Sequence, residues 1–215
     1  MTDLAEELGP AYCEALLGLH CFTGEDCNCA FKGQGKLKPL KKMLKMPRYQ
    51  ETFRALGNSW SVSDKVLSDL EQFTCFMYGQ PKVTSVNKVR SIMVKTATGG
   101  TSSSLKQMKK VDLSKMPPCR SSLIPHIKRA NFRNRLFKLS HDPTPEIPVL
   151  NEAHGWNAGE MFLEPLWTEG PVLPTNLTDL LPEITVNSDT DDDLVSLDSS
   201  DGECSSGWES ESDLH

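Results

Sequence analysis

The last 31 residues, from Thr185, are mostly Ser, Asp, Glu and Gly, too poor in apolar side chains to offset the entropy of ordering a chain, and this limits what the rest can fold into. With that stretch set aside, roughly 140 to 170 residues remain to build a core, enough for one modest body. Charge draws the same division. All 23 Lys and Arg lie in residues 1–138 beside 11 acids, while residues 139–215 hold 18 acids and no base. The overall pI near 5.4 averages a basic body with an acidic extension. A basic body favours contact with phosphates through counterion release, and the extension either meets a basic partner, competes for the body's basic face or simply keeps it soluble. Seven cysteines are an odd number, and Met1 to Gly18 is amphipathic with four acids, so it reads as neither a secretory signal nor an organelle presequence. Reduced thiols in the nucleus or cytoplasm are expected, with no membrane contact, since no apolar run reaches spanning length.

No run of Val and Ile alternating with helices occurs, so a parallel sheet is excluded and helices must carry the core. A short helix is expected over Gln50–Leu56, ended by Gly57. A stronger one, capped by Ser61 or Ser63, carries Val66, Leu67, Leu70, Phe73, Phe76 and Met77 at helical spacing up to Gly79. Ser85–Lys95 gives a basic helix with Val86, Val89, Ile92 and Met93 inward, and Thr96–Ser104 a flexible loop.

Leu16–Lys45 carries the functional signal. An apolar helix, the turn Gly24-Glu25-Asp26, the bend Gly33-Gln34-Gly35 and a lysine-rich helix follow in order. Two glycines without Cβ let a bend take positive φ and bring backbone N–H groups close to a phosphate, and the next helix starts there with its positive dipole end. Lys36, Lys38, Lys41, Lys42 and Lys45 add cations, Pro39 suits a first helical turn, and Leu37, Leu40, Met43 and Leu44 form the stripe expected to be buried. The alternative is an ordinary amphipathic helix with solvated lysines.

This order resembles the helix-hairpin-helix region of the flap-endonuclease and excision-repair nuclease (PIN-like) superfamily, and within it an animal, mobile-element-associated branch. The likeness includes Leu19-His20-Cys21-Phe22-Thr23-Gly24-Glu25-Asp26, Leu56-Gly57-Asn58-Ser59-Trp60, Leu70–Gly79, Pro117–Leu123, His126–Phe132 and His154-Gly155-Trp156, so it runs from about Leu8 to Trp156. It implies backbone contacts at Gly33, Gly35, Lys36, Lys38, Lys41 and Lys42. It also implies that Asp26 stands where those nucleases place one of several carboxylates around two divalent ions. The sheet that supplies the other carboxylates has no counterpart here, so Asp26 is a vestigial metal ligand or a mere helix cap. Magnesium is expected only if another chain completes a nuclease.

Cys13, His20, Cys21, Cys27 and Cys29 are the residue types of a zinc site, but Cys27-x-Cys29 is tighter than the usual spacing and no second pair follows. Arg120, Lys128, Arg129, Arg133, Arg135 and Lys138 make a second basic helix, read either as a further phosphate contact or as a docking helix, with Pro125 expected to bend or interrupt it. Residues 157–182 read as an apolar strap broken by prolines. In the tail, Leu194, Val195 and Leu197 between aspartates resemble a motif that adds a strand to a ubiquitin-like modifier.

The expected molecule is an all-α, helix-hairpin-helix-containing body with a disordered acidic tail, divided as 1–80, 81–156, 157–184 and 185–215. Its first functional reading is a non-enzymatic, nuclease-like or mobile-element-derived protein that grips a nucleic-acid backbone, DNA favoured over RNA. The alternatives are an adaptor acting through its tail, toward a ubiquitin-like modifier or another basic protein, and part of a metal-dependent nuclease whose catalytic sheet is supplied elsewhere.

Overall fold

Three phenylalanines far apart in sequence, Phe22, Phe53 and Phe73, are fully buried, and their ring centroids lie 4.9 to 6.2 Å apart in tilted and edge-on pairs. Such pairs add a specific geometry to a large apolar area, and truncating one such ring to alanine typically costs about 3–5 kcal/mol. The computed structural model describes residues 6–97, 112–159 and 162–171. Within them each of those rings sits on its own helix: α1 (Pro10–Thr23), α3 (Pro47–Ala55) and α4 (Asp64–Met77). The short α2 (Leu37–Leu44) and α5 (Val86–Ala97) flank them, and α6 (Arg120–Lys138) runs through the middle. The body is all-α apart from a two-stranded antiparallel hairpin, β1 (Trp156–Ala158) with β2 (Leu163–Pro165), in which Asn157 pairs with Glu164.

Local chemistry explains the ends. Pro47 starts α3 in the first turn, where its missing N–H removes nothing. Ser63 caps α4 by accepting from the Val66 amide. Gly57 follows α3 at positive φ, and a Cβ there would meet Asn134 and Arg135 of α6 at 2.7–3.0 Å, so the close approach admits only glycine. Gly18 is closer still: a Cβ would lie 2.3 Å from the Phe53 carbonyl oxygen where α1 packs along α3.

The central helix owes its place to polar side chains. Asn131 accepts from the Gly57 amide and donates to the Ser59 and Trp60 carbonyls, while Asn134 donates to the Leu56 carbonyl. Of the two readings of this basic helix, docking accords with the contacts of most of its cations. Arg120 pairs with Glu71, Arg133 with Glu25 and Lys128 with Glu169. Lys138 caps α3 through the Arg54 and Leu56 carbonyls, and Arg135 lies over the Trp60 ring.

Pro125 does not interrupt α6, which continues to Lys138. The carbonyl that its missing N–H leaves without an intrahelical donor belongs to Ser121, and the Glu169 amide donates to it at 2.8 Å. The segment after β2 thus docks on the central helix, and the described residues of 1–80, 81–156 and 157–171 belong to one compact unit. The Thr98–Ser104 part of the expected loop, the strap beyond Pro171 and the tail with Leu194, Val195 and Leu197 lie outside the described residues.

The expected buried stripe of α2 is also corrected. Met43 and Pro39 are its buried residues and Leu40 is partly buried, but Leu37 is 70% exposed and Leu44 stands out as well. In a two-turn helix the body covers only one narrow face.

Candidate nucleic-acid interface

The chain between α1 and α2 makes two turns in succession. In the first, Glu25 and Asn28 exchange both backbone hydrogen bonds at 3.0 Å, which leaves Asp26 and Cys27 at the tip. Gly24, just before it, has φ of 116° and packs so closely on Ala30 that a Cβ would clash at 2.7 Å. Asp26 is exposed. Its neighbour Glu25 turns inward, its side chain 5% exposed, with Oε2 accepting from Arg133 at 3.2–3.3 Å and Oε1 buried without a partner. The aspartate that the resemblance assigns to a metal is therefore the outward one of the pair. Among the described residues no three His, Cys, Asp or Glu side chains converge as a metal site, the cysteines near the turn included.

In the second turn Gly33 and Gly35 are both exposed at positive φ, 77° and 57°. A Cβ on either would meet nothing within 4 Å. Backbone conformation alone asks for glycine here. α2 then begins at Leu37 with no side-chain cap and no acid in its first turn, so no carboxylate occupies its positive end.

The lysines divide by destination. Lys36, expected to reach a phosphate, turns back: its ammonium donates to His20 Nδ1 at 2.6 Å and the Gly24 carbonyl at 2.8 Å, capping the negative end of α1. Lys42 also turns inward, donating to the Phe76 carbonyl at 2.6 Å and lying 4.3 Å over the Phe76 ring. Burial pushes its pKa down, and the neighbouring Lys45 adds to that. Lys38 and Lys41 are exposed, Lys38 reaching the Gly33 carbonyl across the bend at 3.2 Å. Lys45, outside the set of contacts that the resemblance implies, completes an exposed i, i+3, i+7 stripe with them. None of these three enters an ion pair among the described residues. Lys32, at the head of the bend, is a further cation that sequence reasoning misses; it is exposed and donates to Ser114 Oγ at 2.6 Å. Its position one residue before Gly33 is the signal that could have found it.

Two exposed glycines, an uncapped helix start and three outward cations thus share one edge of the body, a constellation suited to a polyanion. No family model matches the chain, nor does any curated protein or solved structure. The likeness of Leu16–Lys45 to the nuclease hairpin rests on the quoted residues alone.

Proposed function

We propose that the protein binds the phosphate backbone of nucleic acid along the edge formed by the Gly33–Gly35 bend and the outer stripe of α2, without cutting it. The observation that carries this reading is the exposed stripe Lys38, Lys41 and Lys45, none of it paired with a carboxylate among the described residues, beside a helix start that lacks a cap. Lysines in that arrangement give affinity and register but no base readout. The reading excludes Lys36 and Lys42 from the contact, since Lys36 bridges His20 and the Gly24 carbonyl at the end of α1 and Lys42 is half-buried on the Phe76 carbonyl and ring, whereas Lys38 stays exposed beside the bend. DNA is the favoured polymer, and a nuclease-like or mobile-element ancestry is the proposal the sequence resemblance offers for its origin.

The test is fluorescence anisotropy with a labelled duplex as a function of salt. Binding should weaken steeply as salt rises from about 50 to 200 mM, and replacing Lys38, Lys41 and Lys45 together by glutamine should flatten the slope of log K against log salt by about 3, near 0.9 for each phosphate that the variant no longer neutralises. Replacing Lys36 by glutamine should lower stability rather than the slope. If the full chain does not bind at the low-salt end, or the triple variant keeps the original slope, the edge does not hold the backbone.

A further inference from the structure

Between residues 29–32, which lead into the glycine bend, the end of α4, α5, α6 and the segment around Met116 and Pro117 lies a cleft of about 420 Å³, within the range of small-ligand sites. Arg129, Arg90 and Lys32 line it together with Trp167, Tyr78 and Phe31, and no carboxylate does. Arg129 is the telling residue. It is only 2% exposed, yet its hydrogen bonds go to neutral oxygens: Nε to Asn28 Oδ1, Nη1 to the Gly155 and Leu166 carbonyls. Arg90 likewise spends one nitrogen on the Pro117 carbonyl and Lys32 its ammonium on Ser114 Oγ. Asp112 accepts from the Ser114 amide and hydroxyl and pairs with Lys115, so Lys32 reaches that carboxylate only through the serine hydroxyl and makes no direct ion pair with it. A guanidinium keeps its charge in proteins, and a buried charge without a counter-ion is costly. Three cations around one space, none paired with a carboxylate among the described residues, ask for an anion.

The aromatic lining narrows the class. Trp167 is 60% exposed and lies 5.5 Å from the Arg129 guanidinium, so one part of the ring rests on the cation and much of its surface is open. We propose that the cleft holds one unpaired nucleotide, its phosphate against Arg129, Arg90 and Lys32 and its base stacked on Trp167. The proposal deepens the backbone reading and rests on it: Lys32 belongs both to the bend that begins the phosphate track and to the cleft, so a strand lying along α2 brings its unpaired nucleotide to this mouth. Phosphate capture by grouped cations and stacking on an aromatic face together distinguish a single strand from a duplex.

The experiment is calorimetric titration of the full chain with adenosine 5′-monophosphate, adenosine and phosphotyrosine, alongside anisotropy with a single strand and a duplex. The monophosphate should bind, and adenosine at least tenfold more weakly. Trp167→Ala, a change at an exposed ring, should weaken the monophosphate and the single strand by about five- to 150-fold, the range carried by base–aromatic stacking, and leave the duplex unchanged. The triple glutamine variant of α2 should do the reverse, losing the duplex and keeping the monophosphate. A chain that binds duplex but no monophosphate at millimolar concentration overturns the cleft and spares the edge, whereas one that binds monophosphate but neither polymer overturns the edge. Adenosine binding as well as its phosphate, or phosphotyrosine binding more tightly than either, removes the nucleotide assignment.

Discussion

His126 is held between Phe22 and Phe31, with ring centroids 5.4 and 4.9 Å away, and its Nε2 lies 2.8 Å from the Phe22 carbonyl. A carbonyl can only accept, so Nε2 carries a hydrogen. Burial pushes its pKa down to about 4, against the smaller upward pull of the Phe22 carbonyl, and the charge of Arg129 adds a lesser push in the same direction as burial. In the unfolded chain the same ring takes its proton near pH 6.5. Between those two values the unfolded chain binds more protons than the folded one, so stability falls as pH drops from about 6.5 toward 4, by roughly 3 kcal/mol over the whole window. His154, whose pKa burial also lowers, adds to the same loss. Urea midpoints at pH 7 and pH 5 should show the decline, and the His126 ring resonances of the folded protein should stay in their neutral positions across that range. A folded-state titration near 6.5 would contradict the assignment. The consequence reaches the surface, because Asn28, which donates to the His126 and Cys21 carbonyls, seats the first turn, and the glycine bend follows it.

Among the elements, α6 shows how a proline inside a helix becomes an attachment point. Without the Pro125 N–H, the Ser121 carbonyl is free for the Glu169 amide, while the Pro125 carbonyl stands so near Gly155 that a Cβ there would lie 2.5 Å away. Lys128 and Glu169 add an ion pair at 2.5 Å, partly shielded from solvent. Pro125→Ala should restore the intrahelical donor, set it in competition with Glu169 and speed hydrogen exchange of the Glu169 amide by about two- to tenfold, the worth of one net hydrogen bond, with little loss of global stability. Unchanged protection would show that the remaining contacts suffice. The helices α4 and α5 are legible in the sequence because their apolar residues recur at 3.6 spacing, α4 between a capping serine and a glycine, and those signals are local; α3, expected from Gln50, instead begins three residues earlier at Pro47 and ends at Ala55. The role of α6 is not legible there. Asn131, Asn134 and Arg129 are buried against backbone carbonyls and amides far away in sequence, which leaves no periodic trace, and a surface of such residues reads as solvated. Lys36 and Lys42 mislead for a related reason: a long aliphatic stem carries the ammonium to whichever carbonyl the fold offers, and counting cations along a helix does not say which way each one turns. The bend itself is legible as a positive-φ pair, since two glycines flanking one residue leave few other uses.

At the scale of the molecule the two unequal charges meet in one chain. Residues 175–215 contain 12 acids and no base, so removing them changes the formal net charge from −6 to +6 while sparing the compact unit that ends at Pro174. If the edge of α2 binds a backbone as proposed, an acidic stretch of the same sign as that ligand is tethered to it, and any competition between them is intramolecular. Competition of this kind is electrostatic and screened, with a Debye length of about 10 Å at 0.1 M salt. The shortened chain should unfold at the same urea midpoint as the full one. At about 50 mM salt it should bind duplex more tightly, and the advantage should shrink as salt rises toward 200 mM, because both the tail and the duplex lose their hold on the same lysines. The triple glutamine variant of α2 separates this from a general charge effect: if the tail competes for Lys38, Lys41 and Lys45, deletion should help the variant less than it helps the original sequence. Equal affinities of the full and shortened chains at low salt would mean that the acidic residues never oppose the edge, and that their work lies with another, basic partner.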